Sequence, residues 1–345
     1  MPIKKSKLFK LLKINNGPAI ISELGINHFG SLKIAKKMVD EIFKNGGRIV
    51  KNQSHDLESE MSKEAKNVKP ANAKMSIYNV IKKNMMSHED EIKLKRYVEK
   101  KKMLYISTPF SKESAKRLNT IGVKLFKIGS GEFNNLPLLG EILNYKKPLI
   151  LSTGMNDINS IKKTVSFLYE RKADFALLHC VSDYPVNDKD LQLENINFLK
   201  KKFPNIIIGY SDHSMLIAPS IISMSYGAKI IEKHFTLSKK LKGPDIICSM
   251  DGIGLMELIK ASKIYNLKKL IKRKITANEK KVSKFAFASV VSLKNIKKNE
   301  ILDKSNIWVK RPGTGYFKSS DFDQLLGKKA KRNIKKSHQL KKKDV

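Results

Sequence analysis

Residues 148–180 read PLILSTGMNDINSIKKTVSFLYERKADFALLHC. Two short Leu-rich runs, 148–151 and 175–178, stand at either end, and each is bounded by polar or glycine residues. Between them Asp157 is placed to cap a helix over 158–170, whose apolar residues recur with helical spacing. The segment therefore predicts a strand, a helix and a second buried strand, which is one repeat of a parallel sheet.

The same repeat recurs along most of the chain, with helical patterns following capping residues such as Ser31 and Ser111. The short apolar runs lie at 19–21, 48–50, 103–106, 124–128, 148–151, 175–178, 206–209 and 229–231. Eight such repeats predict an α/β fold, a (β/α)8 TIM barrel. A doubly wound sheet is the alternative, but the turn after the first run, 25–30, does not match its G-x-G-x-x-G fingerprint.

Segments outside the repeat divide the chain into domains. We predict an N-terminal hairpin or cap over 1–17, the barrel over 18–272 and a polar linker over 273–283. Residues 284–345 change character and predict a small, mostly β domain. The segment 54–88 is long for a loop within a compact domain, which is typical of a lid or an interface element.

Composition excludes several classes of protein. The 345 residues include 41% hydrophobic residues, enough for a sizeable core, so wholesale disorder is excluded. No stretch of 18 or more apolar residues is present, which predicts no membrane span, and the N-terminus lacks the pattern of a secretory signal. Two cysteines, Cys180 and Cys248, cannot form a disulfide framework, so we expect a reduced, cytoplasmic setting.

The net charge of +37 invites a nucleic-acid-binding hypothesis. Only seven of the 69 basic residues are Arg, however, and readers of nucleic acid depend on Arg for bidentate base contacts. More than half of the excess charge lies in residues 260–345, which hold 26 basic and six acidic residues. A solvated, Lys-rich surface without a specific nucleic-acid partner is the simpler interpretation.

In a barrel the carboxyl ends of the strands meet at one mouth, where function resides. The polar residues at those ends are Glu23; Lys51, Asn52 and Gln53; Ser107 and Thr108; Lys127, Ser130 and Glu132; Ser152 and Thr153; His179, Ser182 and Tyr184; Ser211, Asp212 and His213; and Glu232, Lys233 and His234. This convergence predicts an active site.

The residue types at the mouth indicate their chemistry. Lys51 and Lys127, with small hydroxyls and glycine turns, suit a small ligand that carries phosphate and carboxylate groups. A single histidine at a strand end is more often structural than a metal ligand. His213 and His234 follow neighbouring strands, which favours a shared divalent metal with an open position.

Glu23 and Glu132 are the candidate proton-transfer groups. In so Lys-rich a chain a lysine at a strand end could be a surface residue. Lys127, however, lies inside an apolar strand, and Glu23 follows another, so neither is expected to face solvent.

Ten short segments of the barrel sequence resemble motifs of the N-acetylneuraminate (sialic acid) synthase family, and the bacterial type of that family is the most similar. The segments that match in order are 21–28, 51–53, 107–110, 127–132, 151–155, 178–180, 184–185, 209–213, 232–236 and 243–245. The segment 308–315, WVKRPGTG, resembles the family's C-terminal SAF (type III antifreeze-like) domain. The resemblance spans roughly residues 18–340.

The resemblance implies a transferase reaction that forms a carbon–carbon bond. Phosphoenolpyruvate condenses with N-acetylmannosamine and water to give N-acetylneuraminate and phosphate, with Mn²⁺ or Mg²⁺ as cofactor. It also implies a cytoplasmic homodimer whose SAF domains are swapped.

The resemblance further implies roles for individual residues. The implied catalytic residues are Glu23, Glu132, His213, His234 and Arg311, the two histidines also being the metal ligands. Those implied to hold phosphoenolpyruvate are Lys51, Thr108, Lys127, Ser130, Ser152, Ser182 and Ser211. Those implied for the amino sugar are Gln53, Tyr184, Asp245 and Phe285. Arg311 and Phe285 would reach the site from a second subunit.

The segment 180–187 departs from the common form of the family, because Ser182 stands where an Asn often does. Asn52 and Ser54 also differ from the usual residues. A legionaminic acid synthase, which uses a diacetamido tetradeoxy-hexose, is therefore the alternative activity. A barrel that has lost catalysis and serves as a structural or sugar-binding protein is a further alternative, which the full set of ligands disfavours.

Overall fold

Eight parallel strands pair in chain order, and the last returns to the first, so the sheet closes into a barrel. The strands are β1 (Ala19–Glu23), β2 (Ile49–Ser54), β3 (Leu104–Pro109), β4 (Phe126–Ile128), β5 (Leu149–Ser152), β6 (Phe175–Cys180), β7 (Ile207–Asp212) and β8 (Ile230–His234). The predicted (β/α)8 fold is confirmed. The computed structural model describes residues 6–14, 17–70, 74–267 and 274–345.

Alternation along each strand separates two apolar clusters. Ile21, Ile49 and Ile106, with partners from the other strands, form one cluster inside the barrel. Their neighbours in sequence, such as Ile20 and Val50, pack into the larger cluster between the strands and the helices. Side chains alternate along a strand with a period of two. The residues that follow the inner apolar cluster at every second position therefore also face the barrel interior, nearer the carboxyl ends of the strands.

Helices follow the strands and cover them. They are α1 (Lys7–Leu11), α2 (Leu32–Lys44), α3 (Leu57–Glu60), α4 (Ile77–Asn84), α5 (His88–Lys100), α6 (Lys112–Thr120), α7 (Leu136–Leu143), α8 (Ile158–Glu170), α9 (Glu194–Lys202), α10 (Ala218–Tyr226) and α11 (Gly252–Asn266). The predicted caps Ser31, Ser111 and Asp157 each accept a hydrogen bond from a backbone N–H of the first turn.

Residues 1–17 were predicted to form a hairpin or a cap, and the hairpin is wrong for the described residues, which form α1. Ser6 caps the helix and also donates to Asp174, 2.6 Å away. Leu8, Leu12 and Ile14 join the inner apolar cluster of the barrel. Leu8 and Leu12 are four residues apart and lie on one face of the helical turn, so burial against the barrel selects a helix over a hairpin.

The long segment after β2 is structured. It contains α3, a 3-10 turn (Lys63–Lys66) and α4. Val80 and Ile81 pack with Ile26 in a small separate apolar cluster. The segment is therefore part of the folded barrel unit.

Contacts divide the chain into two units, Met1–Lys268 and Lys269–Val345. The second begins with α12 (Ala277–Ala286), so the predicted polar linker is helical from residue 277, with Thr276 as its cap. The predicted boundary at 272–273 lies outside the described residues. Strand β9 (Ser289–Ser292) follows α12, which extends through Ala286.

The second unit is small and mostly irregular around a compact core. Strand β10 (Ile307–Lys310) pairs antiparallel with β9. Its core residues are Val290, Ile296, Leu302, Ile307, Leu325, Ala330, Ile334 and Leu340. Among the residues described in both units, no helix is long and apolar enough to cross a membrane.

Candidate active site

A cavity of about 270 Å³ opens at the carboxyl ends of the strands. All seven residues predicted to hold phosphoenolpyruvate line it: Lys51, Thr108, Lys127, Ser130, Ser152, Ser182 and Ser211. Because the eight strands close into a barrel, their carboxyl ends and the loops after them surround one space, to which β2 to β7 each contribute residues.

Two cations and two carboxylates lie together at this cavity. The Lys51 ammonium is 2.7 Å from a Glu23 oxygen and 3.5 Å from Glu232 Oε1. Lys127 lies 3.7 Å from the same Glu232 oxygen. Each of the four residues is at most 6% exposed, so their charges compensate one another where water screens them least.

Glu232 had no role in the sequence-based hypothesis, although it stood among the strand-end residues. It lies two residues before His234 on β8, so the two side chains face the same side of the strand, and Lys233 faces the other. Ser211 donates to Glu232 Oε1 over 3.4 Å, whereas Oε2 is buried without a hydrogen-bond partner. The alternation of β8 is the signal that could have identified it.

Burial and neighbouring charges shift the pKa values of the two lysines in opposite directions, and likewise those of the two glutamates. Burial raises the pKa of Glu23 in spite of Lys51 beside it, and burial lowers the pKa of Lys127 in spite of Glu232. Burial alone would lower the pKa of Lys51, but Glu23 and Glu232 outweigh it and raise that pKa. Burial alone would raise the pKa of Glu232, but Lys127 and Lys51 lower it. Of these two carboxyl groups, Glu23 is thus the one better suited to carry a proton.

Hydroxyl groups complete the cavity wall. Lys127 donates to Ser152 over 2.7 Å and Lys51 to Thr108 over 3.2 Å. A Cβ atom at Gly154 would collide with the hydroxyls of Ser130 and Ser182, so the turn after β5 needs glycine for them to converge. The set of ammonium and hydroxyl donors suits a small anion.

A second lobe of about 300 Å³ adjoins the first and shares Gln53, Phe110, Tyr184 and His234 with it. The three barrel residues predicted for the amino sugar, Gln53, Tyr184 and Asp245, all line it. Burial, aided by Glu23, raises the pKa of Asp245 to about 6. We call this space the acceptor lobe.

The two predicted metal ligands face each other at the junction of the lobes. The ring centroids of His213 and His234 are 5.8 Å apart, and Tyr184 stacks on His213 at 4.0 Å. His213 Nδ1 donates to the Val181 carbonyl over 2.9 Å, which leaves Nε2 for a ligand. His234 Nδ1 is buried without a hydrogen bond, 3.6 Å from Asp245.

These histidines fit a divalent cation that keeps open coordination positions. Among the residues that the structure describes, no group of three or more His, Cys, Asp or Glu side chains could form a closed metal site. Cys180 lies beside His213, with Sγ 3.7 Å from Nδ1. Burial alone would raise the pKa of this thiol, but His213 outweighs it and lowers that pKa to about 7.

Comparison with known proteins decides the family. A model described as the NeuB family matches residues 38–275, and a model described as the SAF domain matches residues 287–345. The chain belongs to the NeuB family. The resemblance seen in the sequence, including its C-terminal SAF domain, is confirmed.

Relatives with different names resemble this chain over most of its length. It is 38% identical to an uncharacterized protein of Methanocaldococcus jannaschii, covering 91% of this chain and 90% of that protein. It is 34% identical to the N,N'-diacetyllegionaminic acid synthase of Campylobacter jejuni, covering 92% and 96%. A crystal structure of N-acetylneuraminic acid (sialic acid) synthetase from Leptospira borgpetersenii, in complex with citrate, has a TM-score of 0.69, 32% identity and coverage of 78% and 90%.

These relatives place the chain among the NeuB-family sialic and nonulosonic acid synthases, which use phosphoenolpyruvate. Two barrel residues implied by the resemblance, Glu23 and Glu132, are not among the residues that line the two lobes. Glu23 instead pairs with Lys51. Glu132 is half-buried and accepts a hydrogen bond from Asn135 over 2.5 Å. Arg311 and Phe285 belong to the second unit, where both are exposed. Their roles remain predictions.

A buried ion pair supports the NeuB-family histidines from behind. Lys233 lies 3.0 Å from Asp212 and donates to the Ser214 carbonyl over 2.7 Å. Both charged residues are at most 1% exposed, and each is adjacent in sequence to one of the two histidines. The pair therefore ties the ends of β7 and β8 together at the point where His213 and His234 emerge.

Proposed function

We propose that this protein condenses phosphoenolpyruvate with an N-acylated hexose to form a nonulosonic acid and phosphate, with N-acetylmannosamine as the acceptor and N-acetylneuraminate as the product. The observation that carries the proposal is the junction of two different lobes. One holds cations and hydroxyls suited to phosphoenolpyruvate, and the other holds amide, phenol and carboxyl groups suited to a sugar.

The residues of the chain have distinct tasks in this reaction. Lys51, Lys127 and the serine hydroxyls bind the phosphate and carboxylate of phosphoenolpyruvate. Gln53 and Tyr184 orient the sugar so that its aldehyde meets the carbon nucleophile. Glu23 holds a proton for transfer, because its pKa is raised by burial.

The proposed cofactor is Mn²⁺ or Mg²⁺, held by His213 and His234. The ion would supply Lewis-acid polarisation of the acceptor carbonyl. Within the described part of the chain, His213 Nε2 and His234 Nδ1 have no hydrogen-bond partner, which supports this assignment. We further propose that Arg311 and Phe285 act at the site of the partner in a homodimer, as the resemblance implies.

A second acceptor, a diacetamido tetradeoxy-hexose, is favoured by the apolar character of part of the acceptor lobe. The apolar residues that line it are Ile26, Met61, Pro70, Ile77, Val80, Ile81, Phe110 and Pro244. Deoxy positions and a second acetamido methyl group would bury more apolar surface there than N-acetylmannosamine does. The Campylobacter relative, named as a legionaminic acid synthase, supports the same candidate.

The test is phosphate release from phosphoenolpyruvate with Mn²⁺ and the two acceptors, offered singly and in competition. Release that requires either sugar supports the reaction, and the preferred sugar in competition identifies the acceptor. No release with any 2-acetamido sugar would contradict the proposed function.

The same assay tests the metal ligand. We expect His213→Ala to abolish turnover and to weaken Mn²⁺ binding, measured by electron paramagnetic resonance, while the thermal melt stays cooperative. His88→Ala, an exposed histidine at the start of α5, is the matched control. Full turnover by the His213 variant would refute its role as a ligand.

A further inference from the structure

The chain that follows β2 places an imidazole and a carboxylate against the acceptor lobe, and neither has a task in the reaction above. They belong to His55 and to Glu60, the last residue of α3. We propose that His55 and Glu60 are positioning residues that fix the side-chain amide of Gln53, and thereby select the polar group that the lobe presents to the sugar. This inference rests on the proposed function.

Contacts join the three side chains in series. His55 Nδ1 lies 3.0 and 3.1 Å from the two carboxylate oxygens of Glu60, and His55 Nε2 lies 3.2 Å from Gln53 Oε1. The side chains of His55 and Glu60 are each only 4% exposed. The imidazole also stacks on Phe110, with ring centroids 4.4 Å apart and planes 8° from parallel. The imidazole has little freedom to turn.

Further contacts hold the carboxylate and the backbone around it. The Asp56 backbone N–H donates to Glu60 over 3.1 Å, and the Asp56 side chain caps α3. Arg117 on α6 pairs with Asp56 and donates to the His55 carbonyl over 2.8 Å. A four-residue helix is thus anchored to the barrel at both the cap and the histidine, which holds Glu60 in place behind His55.

The Gln53 amide is oriented with its carbonyl oxygen, Oε1, towards the imidazole. A carboxylate accepts hydrogen bonds only, and so does the carbonyl oxygen of an amide. In this orientation the imidazole can donate to both Glu60 and Gln53 Oε1 only through an N–H at each of its two nitrogens, an arrangement that the Glu60 carboxylate favours. The amide nitrogen of Gln53 is then the group left for the lobe, and it has no protein partner among the residues that the structure describes.

A hydrogen-bond donor at this point selects a sugar that offers an oxygen acceptor, such as an acyl carbonyl. Removing the charge of Glu60 would leave the imidazole neutral, with Nδ1 still bonded to residue 60. His55 Nε2 would then accept a hydrogen bond, and the Gln53 amide would have to turn to donate it. The lobe would present a carbonyl oxygen in place of the amide N–H, and the sugar would lose its partner.

The experiment compares the full-length protein with Glu60→Gln. We expect the KM for the acceptor to rise about tenfold, the loss of one buried hydrogen bond, while the KM for phosphoenolpyruvate changes less than about twofold. We also expect ¹⁵N NMR of the histidine side chains to show two protonated nitrogens on His55 in the parent and one in the variant. A purely structural role for Glu60 would leave these ¹⁵N shifts unchanged.

Two further variants sharpen the outcome. Glu58→Gln removes an exposed carboxylate from the same helix and should change neither KM nor the His55 spectrum. His55→Asn should raise the acceptor KM by a similar factor, and the two effects should not add in the double variant. An unchanged acceptor KM in Glu60→Gln would overturn the inference. A parent protein that releases no phosphate would overturn the proposed function instead. In that case the ¹⁵N spectra would still test the inference, and identical His55 shifts in parent and Glu60→Gln would overturn it.

Discussion

At the scale of single residues, the cavity is organised around one shared carboxylate. Glu232 Oε1 lies within 3.7 Å of both lysine ammonium groups, and a Glu23 oxygen lies 2.7 Å from the Lys51 ammonium. An incoming phosphoenolpyruvate therefore competes with protein carboxylates for the same cations. The lysines are held in place before the substrate arrives, and binding requires an exchange of partners rather than the filling of an empty cationic site.

Glu232→Gln tests this account through stability. Removing one partner of a buried ion pair leaves a cation uncompensated, so we expect the free energy of unfolding to fall by about 3 kcal/mol. Inorganic phosphate should raise the Tm of the variant more than that of the parent, because it can replace the lost charge. Urea denaturation and thermal melts measure both effects. Glu170→Gln on the exposed end of α8 is the control, and an equal phosphate response in parent and variant would argue against the account.

His28 provides a prediction of pH dependence. Burial lowers the pKa of His28 from 6.5 to about 4, and its Nδ1 accepts a hydrogen bond from the Gly30 N–H. The unfolded chain binds the proton more readily, so this group's contribution is complete above pH 6.5 and is lost as the pH falls towards 4, by about 3 kcal/mol at most. His28→Gln should remove that part of the acid sensitivity in urea titrations between pH 4 and 7. His88→Gln should not, and a His28 variant with the slope of the parent would contradict the prediction.

At the scale of elements, α1 is the part of the barrel unit that differs most from expectation. A helix at this position puts Leu8, which is completely buried, into the inner apolar cluster. Asp174, just before β6, accepts hydrogen bonds from Ser6 and from the Leu8 backbone. The helix therefore closes one end of the barrel interior, and the active site lies at the other.

Leu8→Ala should lower the free energy of unfolding by 2–5 kcal/mol, roughly the cost of a leucine-sized cavity. Lys10→Ala on the solvent side of the same helix should change it by less than about 0.5 kcal/mol. Chemical denaturation of both variants provides the comparison. Equal stability of Leu8→Ala and the parent would show that α1 does not contribute to the barrel core.

The elements that could be predicted are those whose pattern repeats. The eight strands and the helix caps at Ser31 and Asp157 follow from local periodicity and capping chemistry. Helix α12 was not predicted because a Lys-rich, polar stretch resembles a linker. Helix α1 was not predicted because the sequence does not show which surface its leucines cover. The residues that line the cavity could be predicted because they lie at the carboxyl ends of strands. Glu232 and the His55–Glu60 contact did not, because they depend on which face of a strand or short helix meets a neighbour.

At the scale of the whole molecule, the charge of +37 is dominated by lysine and is concentrated towards the C-terminal quarter of the chain. A positive field of this size attracts small anions over several ångströms, an effect that salt screens. The nucleic-acid hypothesis is set aside on the family, the site and the scarcity of arginine. The field remains relevant for phosphoenolpyruvate, which carries up to three negative charges.

We expect kcat/KM for phosphoenolpyruvate to fall several-fold between about 0.02 and 0.3 M salt, since the Debye length shrinks below about 10 Å over that range. The uncharged acceptor sugar serves as an internal control, and its kcat/KM should change little. Initial rates at limiting concentrations of each substrate measure both. A flat profile for phosphoenolpyruvate would show that the surface charge does not steer it.

The pairing of β8 with β1 has a consequence for biosynthesis. Glu23 lies opposite His234 in the closing register, and Lys51 meets Glu232 only when that seam has formed. Glu232 is thus translated only after the residues of the first seven strands. Until β8 emerges, the growing chain has two unpaired strand edges and a Lys51 that lacks one of its two carboxylate partners, so we expect the nascent barrel to be prone to aggregation.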